Sequence, residues 1–178
     1  MMFEQPKWPK LIPPENVVNI ATLGPVGKTF AAPGTWGSLA GILFFVVCCS
    51  QMGDIELLIA ALIIGYPAIG ICGEAEIVMG RRDPGEVILD EVVAMPLCLI
   101  GWRIIAVPGF LGFIGILIAA FALFRFYDIR KPWVIDKLQE LPGGWGVVLD
   151  DTAAAIATCG TLHLAHVVWA LFHASSPT

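Results

Sequence analysis

Apolar positions gather into five stretches, at residues 39–49, 55–72, 92–107, 110–126 and 153–172, separated by short segments rich in glycine, proline and charge. A helix that crosses the hydrocarbon core needs about 20 apolar residues, with a range of about 17–25. The second, fourth and fifth stretches reach that length. The first is shorter; it either continues upstream through Trp36-Gly37-Ser38 or meets the bilayer as a partly inserted hairpin. The third ends at Gly101-Trp102-Arg103 or runs on to the turn at Pro108-Gly109. This pattern predicts an all-α fold, a polytopic membrane bundle of about five helices. Residues 15–23 predict a short helix lying at the interface, broken by Gly24, Pro25 and Gly27.

Composition agrees with that pattern. Of 178 residues, 57% are hydrophobic and 14% charged, where a soluble domain carries about a quarter charged. The mean hydropathy is +0.82. The length suits one membrane-embedded domain over residues 1–178, with 1–30 as a cytoplasmic or interfacial segment. The net charge of −5 comes with no basic stripe, so nucleic acid is not an expected partner. The first thirty residues hold Pro6, Pro9, Pro13 and Pro14 and no long apolar run, so no cleavable signal peptide is expected. Threading the spans puts nine of the ten basic residues on the amino-terminal side, with only Arg103 opposite. By the positive-inside rule that side is the cytoplasm.

With this threading, four polar clusters fall on one membrane face: Pro33-Gly34-Thr35-Trp36-Gly37-Ser38, Asp90-Glu91, the run from Arg125 to Pro132, and Gly143-Gly144-Trp145-Gly146 leading to Asp150-Asp151. Each acidic pair opens an apolar stretch, where Asp and Glu also serve as caps at the positive helix terminus. Two adjacent carboxylates at the edge of hydrocarbon are costly unless partnered, and residues at such depth are functional by default. Clustered carboxylates bind hard cations, Mg²⁺ typically through one or two of them plus phosphate oxygens. Arg125, Asp128 and Lys131 share a helical stripe. Arg and Lys suit phosphate, and both also complement a helix carboxyl end, but Asp128 opposes that dipole. Glycine turns at Pro33-Gly34-Thr35 and Gly143-Gly144 can offer backbone N–H groups to phosphate or simply turn the chain. Asp83-Pro84-Gly85 is foremost a turn signature, with Asp83, Glu86 and Glu74 as weaker site candidates.

Other features are set aside. The five cysteines lie in apolar stretches and read as small core hydrophobes. Gly27-Lys28-Thr29 is no P-loop, because Thr22 stands where the first glycine is required. His163, His166 and His173 fall far from the acidic face and read as polar packing.

The motif order resembles the phosphatidylglycerophosphatase A family over about residues 20–165. The matching runs are Pro33–Ser38, Asp83-Pro84-Gly85-Glu86-Val87-Ile88-Leu89-Asp90-Glu91, Phe124 to Trp133, and Gly143 to Asp151. The chain departs from the family pattern at Val134, at Ala94 and at Pro25 and Lys28, and none of these departures removes a charged motif residue. The resemblance implies Mg²⁺-dependent hydrolysis of phosphatidylglycerophosphate to phosphatidylglycerol and phosphate in the bacterial inner membrane, with the site facing the cytoplasm. On that basis Asp90, Glu91, Asp150, Asp151 and Asp128 are the expected metal ligands, and Asp128, Arg125, Lys131 and Asp90 the catalytic group. Thr35, Gly34, Ser38, Arg125, Lys131 and Gly144 are the expected substrate contacts. The alternatives are a phosphatase for another lipid phosphate and, from a different class, a small divalent-cation transporter. Oligomeric state is open.

Overall fold

The structure is a computed structural model that describes residues 4–29, 31–132 and 134–174; Trp133, the last residue of the third motif, lies outside the described residues. All regular structure among the described residues is helical: α1 Pro14–Ala21, α2 Val26–Thr29, α3 Pro33–Phe44, α4 Asp54–Met79, α5 Leu89–Ala94, α6 Trp102–Ile105, α7 Phe110–Arg130, α8 Val134–Gln139 and α9 Gly144–Ala174. Three of these, α4, α7 and α9, are long and apolar enough to cross a membrane. The other two predicted spans are shorter or broken. Helix α3 runs on through a π turn, giving an apolar helix from Pro33 to Cys49. Helix α5 tightens into a 3₁₀ segment, Met95–Leu99, at Pro96. Proline lacks the N–H that would continue an α-helix and crowds the preceding turn.

Both shorter segments still join the two ends of the bundle. The far end of α5 reaches Gly101, whose N–H donates to Asp54 Oδ1 at the start of α4 over 2.9 Å. Arg103 donates to the Met52 carbonyl at 2.8 Å and also to that of Ser50, just past the end of α3. The single basic residue expected opposite the others is thus occupied with capping turn carbonyls.

Local signals set the helix ends. Helix α4 starts where Glu56 accepts the Gly53 N–H and stops at Gly80 in the left-handed region, φ +65°. Helix α9 leaves Gly143, φ +55°, and begins at Gly144. That start corrects one expectation: Asp150 and Asp151 do not open a helix but lie more than a turn inside α9. Of the glycine run, only Gly143 is a turn; Gly144 and Gly146 are already helical.

Close packing relies on small residues, as membrane bundles require where lipid is as apolar as the core. A side-chain carbon on Gly41 would come within 2.5 Å of Met95 Cβ, so α3 lies directly on α5 and its 3₁₀ extension. The core they share with α7 and α9 holds Phe45, Met95, Leu99 and Phe124, all fully buried. Outward faces are apolar too: Ile55, Leu62 and Ile63 on α4, Ile118 on α7 and Leu164 on α9 are exposed, as expected of helices facing lipid chains.

Candidate active site

Where α4 and α7 end and α9 begins, a cavity of about 310 Å³ opens. Its walls carry Asp83, Asp90, Glu91, Asp128, Asp150 and Asp151 together with Arg125 and Lys131. Three of the four expected clusters meet here directly, and the glycine-led fourth contributes its acidic end.

The two acidic pairs are built alike. Asp90 Oδ1 accepts the Glu91 N–H at 3.0 Å, and Asp150 Oδ1 accepts the Asp151 N–H at 3.0 Å. All four acids are nearly buried. The cations hold three of the six acids. Arg125 Nη1 donates to Asp128 Oδ2 at 2.7 Å, one helical turn on, and to Glu91 Oε1 at 3.3 Å. Lys131 Nζ donates to Asp150 Oδ2 at 2.6 Å. The helix-opposing Asp128 is therefore paired with the cation that precedes it.

Glu91 is set by its neighbours. Ser38 Oγ donates to Glu91 Oε2 at 2.6 Å across 53 residues of sequence. Gly34 makes room for the same pair, since a side-chain carbon there would lie 2.4 Å from Glu91 Oε1 and 2.7 Å from Arg125 Nη1. Burial pushes Glu91 up to about 7, against the opposing pull of the Ser38 hydroxyl and Arg125. Burial, then the adjacent Glu91, also raises Asp90 well above the usual carboxylate range. For Lys131 burial acts downward, yet the hydrogen bond and charge of Asp150 more than offset it, so it is raised and stays cationic.

Three wall residues share a backbone feature. Ala32, Asp83 and Lys131 have φ of 55°, 44° and 39°, and each directly precedes a proline. Left-handed backbone costs a non-glycine residue about 1–2 kcal/mol, and proline restricts the residue before it. Strain of this kind collects where structure is held for function. Hydrogen bonds hold the strained residues on the cavity wall: the Asp83 N–H donates to Glu76 and its carboxylate accepts from Gln139, while Lys131 donates to Asp150.

Not every expected substrate contact lines the cavity. Thr35 lies in the first turn of α3 outside it, and Ser38 is turned to Glu91. Gly144 serves packing instead: a side-chain carbon would sit 1.8 Å from the Ile69 carbonyl of α4, and its N–H donates to Gln5 Oε1 at 3.0 Å. Sequence patterns do not single out Gln139, whose Nε2 donates to Asp83 Oδ2 at 2.6 Å. The Asp83 N–H in turn donates to Glu76 Oε1 at 2.6 Å. The dismissed histidine His163 packs as expected, its Nδ1 2.9 Å from the Cys159 carbonyl.

The site fits Mg²⁺ in donor type. Its ligands are hard carboxylate oxygens, and Asp151 Oδ2 is buried with no hydrogen-bond partner among the described residues. As the side chains stand, no three acidic, histidine or cysteine groups among the described residues are arranged to enclose an ion; Arg125 and Lys131 are paired with three of the acids.

Comparison with known proteins bears on what this site does. The profile of the family described as Phosphatidylglycerophosphatase A matches residues 19–166. The chain is 40% identical over 131 residues to a Haemophilus influenzae protein named Phosphatidylglycerophosphatase A, covering 73% of this chain and 76% of that one. It is 30% identical over 151 residues to an Escherichia coli protein of the same name, covering 82% and 80%. A Bacteroides thetaiotaomicron protein named putative phosphatidylinositol-3-phosphatase is 35% identical over 129 residues, covering 70% and 77%. No solved structure matches the chain.

Proposed function

The chain belongs to the phosphatidylglycerophosphatase A family, and from that premise we propose that it releases phosphate from phosphatidylglycerophosphate at the cytoplasmic face of the bacterial inner membrane, with Mg²⁺ as cofactor. It is a phosphoric monoester hydrolase and a membrane protein. The observation that carries the finer reading is the cavity itself: six carboxylates and two cations at one end of three membrane-length helices. A phosphomonoester at headgroup level meets it without leaving the bilayer surface.

Arg125 and Lys131 bind the non-bridging phosphate oxygens, exchanging their present acidic partners for phosphate. That exchange frees Asp128, Asp150 and Glu91. Asp90, Glu91, Asp150 and Asp151 would hold Mg²⁺, which would supply charge neutralisation for the transferring phosphoryl group. Asp128 orients a water and accepts its proton as the water oxygen bonds to phosphorus and the P–O bond to the lipid breaks; the departing alkoxide takes a proton from solvent water to give the alcohol, and Asp128 returns its own proton to solvent. Positioning and charge stabilisation dominate such reactions.

The name of the Bacteroides relative favours a second reading, in which a different lipid monoester is the preferred substrate. Steady-state phosphate release from phosphatidylglycerophosphate, phosphatidic acid and phosphatidylinositol-3-phosphate, in matched detergent micelles, separates the two. The highest kcat/KM is expected for the first. A preference for either other lipid overturns the substrate assignment while leaving the phosphatase.

A further inference from the structure

Beside the acidic cavity runs a second hollow, of about 540 Å³, between α1 and α5. Ile12, Ile20, Leu89 and Val92 give it apolar walls, with Asn16 and Asn19 among them. Its volume falls within the range of ligand pockets, about 300–1,000 Å³, which are typically apolar with a few placed polar groups.

The two hollows share structural parts. Leu89 and Val92 belong to the same turn and a half of α5 as Asp90 and Glu91, which face the acidic cavity. A strip at residues 85–88, which lines the acidic cavity at Gly85 and Val87, is clamped to the α1–α2 segment. The Ile88 N–H donates to the Ala21 carbonyl at 3.0 Å. Gly27 approaches so closely that a side-chain carbon would lie 2.1 Å from the Glu86 carbonyl. Next to Gly27, Lys28 Nζ donates to Asn19 Oδ1 at 2.9 Å. A cation therefore stands against Asn19 at the edge of the apolar groove, next to the glycine that packs on the strip. Amide groups suit ester carbonyls, and the ammonium suits a phosphodiester.

We propose that the α1–α5 groove is the subsite for an acyl chain of the lipid substrate, with Lys28 meeting the phosphodiester between chain and monoester. This rests on the phosphatase reading above. Since the reacting phosphate lies in the other cavity, the groove sets affinity for the lipid tail and leaves the chemical step alone.

The test compares the full chain with its Ile20→Trp and Ile12→Trp variants on alkyl phosphomonoesters from butyl to dodecyl, reading kcat/KM from phosphate release. Filling the groove is expected to lower kcat/KM for dodecyl phosphate at least about tenfold, the contribution of about two buried methylenes, and to leave butyl phosphate unchanged. Equal slopes with chain length in all three proteins, or equal loss on both substrates, overturn the subsite. If no ester is hydrolysed by the unsubstituted protein, it is the phosphatase reading that fails. The groove is then decided by fluorescence quenching with phosphatidylglycerol brominated on one chain. Saturable quenching, read as the difference from the unsubstituted protein with its six tryptophans, is expected in Asn16→Trp at the exposed rim of the groove, against quenching that merely rises with lipid in Leu11→Trp; the same linear rise in both variants overturns the subsite.

Discussion

Asp151 holds a carboxylate oxygen that is buried without a hydrogen-bond partner among the described residues, inside a spanning helix rather than at its end. Leaving such a group unpartnered costs about 1–3 kcal/mol, more when it is charged. On the wall of the acidic cavity, such an oxygen is free to bind a cation. Asp151→Asn removes the charge and nearly keeps the shape. We predict a phosphate-release rate at least about 100-fold lower, with a melting temperature equal to or above that of the unsubstituted protein. Near-full activity would remove Asp151 from the metal set. Ser38 illustrates a different role: it touches no cavity space, yet its hydroxyl fixes the Glu91 oxygen that Arg125 does not hold.

At the scale of elements, the site depends on α3 lying flush against α5. Gly41 leaves 2.5 Å between an added carbon and Met95 Cβ, and 3.1 Å to the Glu91 carbonyl. Gly41→Ala must therefore push α5 away from α3 and shift Glu91 with it. Overpacking of this sort costs about 1–3 kcal/mol. Thermal unfolding at lower temperature, together with reduced activity, is the expected result; an unchanged melting curve would show that the contact can relax freely. Much of this arrangement is legible in sequence. The three long spans follow from run length, and the pairing of Arg125 with Asp128 follows from helical spacing, whereas Lys131 reaches the site from the left-handed residue just past the end of α7. The break at Pro96 is harder to see, since hydropathy stays high across residues 92–100 while the backbone changes from α to 3₁₀. Gly143-Gly144 reads as a turn because glycine permits one, and only the tight approach of α4 reveals that Gly144 is a packing residue. Asp83 hides behind the turn signature of the proline and glycine that follow it, and its tie to Gln139 joins segments 56 residues apart. Local patterns carry no trace of such a contact.

Across the whole molecule, the acids at one end make stability depend on pH. Glu91 rises inside the fold from 4.5 to about 7, and Asp90 moves in the same direction, both chiefly through burial. A carboxyl raised in the folded state binds its proton more tightly there than in the unfolded chain. Its contribution is thus fully present below the unfolded value and is lost as pH rises through the folded one. Metal-free protein in EDTA is predicted to melt several degrees lower at pH 8 than at pH 5, and Glu91→Gln to flatten that decline. A melting temperature that climbs over this range would contradict the burial of these groups. Mg²⁺ is predicted to restore stability at pH 8, since it binds the ionised acids and favours the folded state by mass action.

The most direct measurement is phosphate release from phosphatidylglycerophosphate by the purified chain, with Mg²⁺ and then with EDTA, run beside Asp151→Asn. Release that requires Mg²⁺ and collapses in the variant is the predicted result. Release that persists in EDTA, or survives the loss of Asp151, would contradict a metal-assisted site in the acidic cavity.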